Sequence, residues 1–179
     1  MTELTIRPSL ASDLPLFSKF EHACNSEYVW QMDIRREEEQ ILVSFREIRL
    51  PRPVRVEYPR PISDLADEWK RRDGMLTAFS DKEIAGYMRL TDRFIPHTAR
   101  VTDLVVAPHF RRRGVATRLI FAAQAWALDR HNLHFMLEMS SKCFPAISLA
   151  KKLGFEFCGY NDHYYPTKDV ALFFHKALK

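Results

Sequence analysis

Three arginines and a glycine lie between two apolar segments of the chain. Arg111, Arg112 and Arg113 precede Gly114, and the apolar residues after the glycine recur at helical spacing. A helix N-terminus leaves about four backbone N–H groups without intrahelical partners and carries partial positive charge, so it stabilises an anion. Glycine allows close approach of a phosphate, and arginines can donate to its oxygens. The pattern therefore indicates an anion-binding turn, with a simple solvated turn as the alternative.

The sequence and its composition restrict the class of function. It contains neither GxxxxGK[ST] nor GxGxxG, which disfavours P-loop and dinucleotide-binding proteins. The net charge of +4 is spread through the chain without a basic, aromatic-rich stripe, so we expect no nucleic-acid partner. No apolar run approaches the roughly 20 residues of a membrane span, and the N-terminal segment lacks signal-peptide features. We expect a cytoplasmic protein with no membrane partner.

The cysteines give no sign of a metal site or a disulfide framework. Cys24, Cys143 and Cys158 are widely spaced and form neither a CxxC pair nor a cysteine–histidine group at zinc spacing. No histidine is placed by its spacing to activate Cys143 or Cys158 as a nucleophile. We expect these two cysteines to be buried and inert, and we expect no bound metal.

The predicted elements follow each other in the order of an α/β domain with a mixed sheet. A strand at 4–7 and a helix after Ser12 precede a segment, residues 26–72, that is harder to assign. Within it, 41–50 could be a strand or the end of a helix begun at Arg35, four prolines interrupt the stretch from 51 to 61, and 62–72 is predicted to be a short helix with Ser63 as its N-cap. The clearer elements are a hairpin (75–79 and 84–90), a strand (100–106), the long amphipathic helix after the turn, a strand (134–139), a helix (144–153) closed by Gly154, and two last strands (156–160 and 170–176).

The arginine–glycine turn and the segments around it resemble the GNAT superfamily of N-acetyltransferases. Residues 111–116, RRRGVA, match its Q/R-x-x-G-x-G/A motif, the preceding DLVVAP resembles its central strand, and KKLGFEFCGY resembles its last helix and following strand. The resemblance covers 75–176 well, and the C-terminal half is distantly similar to streptothricin acetyltransferases. It implies one GNAT domain over 1–179: a mixed, largely antiparallel sheet with helices on both faces and an enlarged substrate-side segment at about 26–72.

The resemblance also implies a site for acetyl-CoA, as co-substrate and without a metal. In the superfamily the turn binds the pyrophosphate through backbone amides, and the central strand pairs with the pantetheine arm. A backbone N–H of this strand, in Val105 or Val106, would polarise the thioester. The residues assigned in this way are Leu104, Val105, Val106, Arg111, Arg112, Arg113, Gly114, Val115, Ala116 and Thr117.

Acetyl transfer to an amine needs a base for the amine and a proton for the leaving thiolate. Asp103 and Glu138 lie on strands that should be buried, where a carboxylate is unusual. Either could be the base, and Asp103 is nearer the expected thioester. Each could instead be the structural partner of an arginine.

The source of the thiolate's proton is harder to predict. The superfamily's usual tyrosine is replaced by Ala150, and its asparagine near the start of the last helix is replaced by Cys143. Tyr164 and Tyr165 are the nearest candidates in sequence for the hydroxyl, although tyrosines in such loops also pack. Water could serve instead.

The sequence therefore predicts an acetyl-CoA-dependent N-acetyltransferase that acts directly on a primary amine of a small molecule or peptide. A non-catalytic acyl-CoA-binding sensor or interaction module is one alternative, favoured by the two replaced residues. A protein N-terminal or lysine acetyltransferase is the other. Trp30 is expected to meet the acceptor, and the apolar run 170–174 is consistent with a homodimer.

Overall fold

The computed structural model describes residues 4–70 and 74–179. These residues form a seven-stranded sheet, a separate two-stranded sheet and four α-helices. The strands are β1 (Leu4–Pro8), β2 (Cys24–Arg36), β3 (Ile41–Val56), β4 (Gly74–Ser80), β5 (Glu83–Ile95), β6 (Thr98–Val106), β7 (His134–Ser140), β8 (Glu156–Asn161) and β9 (Ala171–Ala177). The helices are α1 (Leu14–Phe17), α2 (Leu65–Lys70), α3 (Val115–Asp129) and α4 (Phe144–Lys152).

The larger sheet has the strand order β1-β4-β5-β6-β7-β9-β8. Its neighbouring strands are antiparallel except for β6 and β7, which are parallel. Parallel neighbours need a long crossover, and α3 supplies it. The predicted mixed, largely antiparallel sheet is confirmed.

Helices cover both faces of this sheet. Tyr87 and Met88 are consecutive on β5 and therefore point to opposite faces. Met88 lies in the hydrophobic cluster that includes Leu119 and Ala123 of α3. Tyr87 lies in the cluster that includes Phe17 of α1, which stacks on its ring at 4.3 Å. The apolar face predicted for α3 is thus its buried face.

The segment between α1 and α2 confirms the strand alternative for residues 41–50, which lie within β3. It forms a long antiparallel hairpin, β2 and β3, whose tip lies at residues 37–40, so no helix begins at Arg35. The pairing shifts between Tyr28↔Arg49 and Ser26↔Val54, and Pro51 and Pro53 lie in this irregularity. Proline is tolerated there because an irregular strand does not require every N–H group.

The three remaining predicted helices had different outcomes. The helix after Ser12 is only the four residues of α1, preceded by a 3-10 turn, so it is much shorter than predicted. Gly154 closes α4 as predicted: its φ is +74°, its N–H donates to Lys151, and the N–H of Phe155 donates to Ala150. These are the two bonds of a Schellman cap. The helix predicted from residue 62 is a 3-10 turn followed by α2, and its last two residues, 71 and 72, lie outside the described residues.

The apolar run at the C-terminus is explained by its place in the sheet. β9 lies between β7 and β8, and Ala171, Leu172 and Phe174 are buried in the core. A strand that is covered on both edges is not available to pair with a second copy of the chain. Dimerisation therefore stays a prediction, and the apolar residues 170–174 no longer support it.

Candidate active site

The strands β6 and β7 separate partway along their length. They pair from Thr98↔His134 to Val101↔Leu137, and the described ladder between them ends there. Beyond that point β6 pairs with β5 as far as Val106, while β7 pairs with β9 as far as Ser140. The central part of the sheet is therefore a V-shaped opening, which we call the cleft, lined on one arm by Leu104 and Val106.

A β-bulge at the base of the cleft sets the orientation of one carboxylate. The pairing of β5 with β6 passes from Leu90↔Val101 to Arg89↔Asp103, so Thr102 is the extra residue. Bulges re-aim side chains beside functional sites. Asp103 is thereby placed on the same face as Val105, toward α1 and α2.

Asp103 accepts hydrogen bonds from three side chains. The Arg89 Nε donates at 2.6 Å and the Thr102 hydroxyl at 2.8 Å, and the Tyr58 hydroxyl donates to the other oxygen. Burial, together with the nearby charge of Glu138, raises the pKa of Asp103 to about 8. A carboxyl with that pKa is matched to proton transfer near neutral pH.

Glu138 has a second set of partners on the other arm of the cleft. Its oxygens accept from the hydroxyls of Tyr164 at 2.9 Å and Tyr165 at 3.2 Å, and from the guanidinium of Arg60. The Arg100 Nε lies 3.7 Å away. Burial and the charge of Glu138 raise the pKa of both tyrosines, so both hydroxyls stay protonated at neutral pH.

Arg60 joins the two arms of the cleft. One of its nitrogens donates to Glu138, and the other donates to the Thr102 carbonyl at 2.8 Å and lies 3.6 Å from Asp103. The Asp103 and Glu138 side chains are only 2% and 0% exposed, so neither carboxylate meets bulk solvent directly. Each carboxylate instead accepts from the hydroxyl of a half-buried tyrosine, Tyr58 for Asp103 and Tyr164 for Glu138.

The arginine–glycine turn lies at the end of β6, where α3 begins. Arg112 and Gly114 both have positive φ, +64° and +84°. The helix has no side-chain cap, and its first intrahelical bond runs from the Arg118 N–H to the Gly114 carbonyl at 3.0 Å. The N–H groups of Val115, Ala116 and Thr117 therefore precede that bond. No heavy atom lies within 4 Å of where a Gly114 Cβ would be, so the approach to this helix end is open.

The three arginines of the turn are not equivalent. Arg112 and Arg113 are exposed beside the helix end. Arg111 turns back, and its guanidinium donates to the carbonyls of Val106, Glu21 and Ala23 at 2.7–3.0 Å. Arg111 thus fastens the start of the hairpin to the end of β6, and a role near phosphates stays a prediction for it.

Other residues of the site were missed by sequence analysis. Tyr58 and Arg60 come from the segment EYPRP, which has no helical or strand periodicity. Arg89 could have been found, because it is a charged residue inside the otherwise apolar strand IAGYMRL, the same signal that singled out Asp103. His22 is a further member: its Nδ1 donates to the Phe20 carbonyl at 2.8 Å, so its Nε2 accepts from the Tyr87 hydroxyl at 2.9 Å.

Several remaining expectations can be compared with the structure. Cys143 is half-buried and Cys158 is exposed, so the expected burial of both was wrong. Trp30 packs against Phe45, Phe157 and Phe174, with ring centroids 5.7–6.3 Å away. The described residues contain no group of three metal-ligating side chains and no helix long and apolar enough to cross a membrane.

The sheet thus opens between two parallel strands, and an uncapped helix begins at the end of one arm. The model of the Acetyltransferase (GNAT) family matches residues 24–155. The chain therefore belongs to the GNAT family, and the predicted fold class is confirmed.

Relatives and solved structures agree with this membership. The chain is 34% identical to a streptothricin acetyltransferase of Escherichia coli over 116 residues, which is 65% of this chain and 63% of the relative. It spans less than two thirds of the length of the curated relatives it matches. The crystal structure of nourseothricin acetyltransferase has a similar fold, with a TM-score of 0.82 at 20% identity over 98% of this chain and 99% of that one. A Bacillus anthracis structure in complex with acetyl coenzyme A gives 0.77 at 19% identity, over 99% of both chains.

Proposed function

We propose that the protein is an acetyl-CoA-dependent N-acetyltransferase that transfers the acetyl group directly to a primary amine of a small molecule. The observation that carries this proposal is the position of two buried carboxylates, Asp103 and Glu138, at the base of the cleft. If the opening in the sheet had no function, buried carboxylates that accept hydrogen bonds from tyrosine hydroxyls would not be needed there. The cost of burying them is offset by Arg60, Arg89 and the tyrosines.

The residues at the turn fit the co-substrate. The N–H groups of Val115, Ala116 and Thr117 would donate to the pyrophosphate, and the positive end of α3 would stabilise its charge. Arg112 and Arg113 are exposed at the rim, where they could fork to phosphate oxygens. The unpaired backbone of 104–106 would hold the pantetheine arm. Acetyl-CoA would supply the activated acetyl group, and a backbone N–H of Val105 or Val106 would stabilise the charge that develops on its carbonyl oxygen.

Asp103 is the proposed base. Its side chain is almost fully buried, so it would receive the amine's proton through the Tyr58 hydroxyl, which already donates to it. Tyr58 would take the proton from the amine as it passes its own to Asp103. The raised pKa of Asp103, about 8, allows the carboxylate to hold that proton near neutral pH.

Tyr164 is the proposed source of the thiolate's proton. Ala150, where the superfamily usually has its tyrosine, is fully buried in the core and has no hydroxyl. The Tyr164 hydroxyl is held by Glu138 on the opposite arm from Asp103 and is half-buried, whereas Tyr165 is buried and serves to orient Glu138. The acid and the base would then lie on the two sides of the reacting group.

The acceptor is proposed to be a small molecule with a primary amine, of the kind that streptothricin represents. The similarity to streptothricin acetyltransferases supports this choice. The hairpin β2–β3 and the segment after it, about residues 26–72, would form the acceptor side within one domain. A cytoplasmic location follows from this function, since acetyl-CoA is an intracellular metabolite.

The proposal can be tested by calorimetry with acetyl-CoA, followed by thiol release with streptothricin, other small amines and short peptides. Binding together with thiol release for a small amine is the expected result. Binding without release from any amine would favour the sensor alternative, which the buried Ala150 would then explain. Release with peptides alone would favour the protein acetyltransferase, and failure to bind would contradict the function altogether.

A further inference from the structure

Two cysteines that are 119 positions apart in sequence meet beside the cleft. Cys24 is the first residue of β2, and Cys143 is the residue that precedes α4. Their Sγ atoms are 3.1 Å apart, and both residues are half-buried. The third cysteine of the chain, Cys158, is exposed on β8. A close pair and a single exposed thiol therefore occur in the same molecule.

The contact between the two thiols is held by their neighbours. The Ser26 hydroxyl accepts from the Phe144 N–H at 3.2 Å, and the Trp30 N–H donates to the Ser141 carbonyl at 2.8 Å. These bonds fasten β2 to the turn before α4 and to the first residue of that helix, next to the cysteine pair. The approach of the sulfur atoms is thus a consequence of backbone packing and does not depend on one flexible side chain.

The surroundings also favour a reactive thiolate at one of the two positions. The Arg111 guanidinium donates to the Ala23 carbonyl, next to Cys24, at 3.0 Å. The hydrogen bond with Cys143 and the nearby charge of Arg111 lower the pKa of Cys24, while the same contact and burial raise the pKa of Cys143. Because the Arg111 guanidinium binds the carbonyl next to Cys24, we take Cys24 as the attacking thiol and Cys143 as the resolving one.

We propose that Cys24 and Cys143 form a reversible redox modification site that is oxidised to an intramolecular disulfide by low-molecular-weight disulfides. The Cys24 thiolate attacks one sulfur of the small disulfide, forming a mixed disulfide and releasing one thiolate, which takes up a proton. Cys143 then attacks the Cys24 sulfur, its thiol proton passes to the leaving sulfur, and the second small thiol is released. The two cysteines are oxidised by two electrons, and the small disulfide is reduced to two thiols.

The geometry requires little movement for this reaction. A disulfide bond is about 2.05 Å long, so the sulfur atoms need to approach by roughly 1 Å. The proposal does not rest on acetyl transfer, because neither thiol contacts Asp103 or Glu138 among the described contacts. Its failure would therefore leave the proposed function untouched.

The test is oxidation of the full-length protein with glutathione disulfide, alkylation under denaturing conditions, and peptide mass spectrometry. We expect loss of two of the three alkylatable thiols and a linked peptide pair containing Cys24 and Cys143, both reversed by dithiothreitol. Cys24→Ser should abolish the link, while the matched control Cys158→Ser should preserve it. The proposal would be overturned by three alkylatable thiols after treatment, by mixed glutathione disulfides alone, or by a link that contains Cys158. If a variant does not fold, the peptide mass spectrum of the oxidised wild-type protein is enough to test the proposal.

Discussion

Asp103 and Glu138 lie on the two strands that diverge at the cleft, and one guanidinium, that of Arg60, forms an ion pair with both. Each carboxylate also accepts from a half-buried tyrosine, Tyr58 for Asp103 and Tyr164 for Glu138. The two acids therefore share one cation, while each has a tyrosine of its own. This arrangement allows one arm of the cleft to accept a proton and the other to donate one.

The rate of acetyl transfer should depend on the ionisation of Asp103. A base must be deprotonated to accept a proton, so kcat/KM should rise with pH and level off above about 8. Because the charge of Glu138 helps to raise this pKa, Glu138→Gln should move the midpoint to lower pH. Steady-state rates between pH 6 and 10 would measure the shift. A midpoint that does not move in Glu138→Gln would contradict the assignment of Asp103.

Removal of Arg60 should destabilise the protein strongly. Arg60→Met leaves two buried carboxylates without their shared partner, and breaking such a pair costs about 3–5 kcal/mol of unfolding free energy. The double variant Arg60→Met/Glu138→Gln should recover part of this loss, since one buried charge is gone. Urea denaturation would measure both effects.

Arg55→Met is the matched control for Arg60→Met. Arg55 forms ion pairs with Glu21 and Glu57, but all three side chains are largely solvated, so its loss should change stability little. Equal effects of the two arginine substitutions would argue against the special role of Arg60.

The arginine–glycine turn should tolerate loss of glycine better than gain of negative charge. Gly114→Ala has room for its Cβ but keeps φ at +84°, at a cost of about 1–2 kcal/mol. Gly114→Glu places a carboxylate at the helix end where the pyrophosphate would lie, and it should abolish acetyl-CoA binding in calorimetry. Gly154→Ala, at φ +74° beyond α4, should show a similar stability cost with unchanged binding. If Gly114→Glu binds acetyl-CoA normally, the turn is not the phosphate site.

Substitution of Gly86 should lower stability through a steric clash, because the Gly86 backbone packs closely against β6. A Cβ at Gly86 would lie 2.6 Å from the Val105 carbonyl oxygen and 3.3 Å from the Val106 Cα, both in the arm that lines the cleft. Gly86→Ala should therefore cost about 1–3 kcal/mol as the two strands move apart. Gly159→Ala has no atom within 4 Å of its Cβ and should change stability by less than about 0.5 kcal/mol. Thermal unfolding of both variants tests the contrast.

The elements that carry strong local signals could be predicted from the sequence. The buried stripe of α3, the β4–β5 hairpin and the Schellman cap at Gly154 each depend on residues close together in the chain. The hairpin β2–β3 could be predicted only in part, as the strand alternative for 41–50, because most of its side chains are exposed or only partly buried and show no clear alternation of apolar and polar residues. The first helix was predicted to be too long because Phe17 and Phe20, which pack in the core from a short turn, have the spacing of a helical face.

The residues of the candidate site also differ in whether a local sequence signal marks them. Asp103 and Glu138 could be selected because each interrupts an apolar strand. Their partner Arg60 could not, since it lies 78 positions before Glu138 in an aperiodic segment and reaches it only through the tertiary fold. The exchange of the usual tyrosine for Ala150 was visible in the sequence, and Tyr164 could be named there as a candidate, but its hydrogen bond to Glu138 required the structure.

The measurement that tests the account most directly is the mass of the acceptor after incubation with acetyl-CoA and either wild-type protein or Asp103→Asn. Streptothricin is the first acceptor, and acetyl-CoA binding is confirmed by calorimetry for both proteins. The account predicts an acetylated acceptor with the wild type and a rate lower by about 10²–10⁴-fold with Asp103→Asn, while acetyl-CoA affinity is retained. Equal rates for the two proteins would show that Asp103 is not the base. Absence of acetylated product from any amine, despite binding of acetyl-CoA, would contradict the proposed transferase.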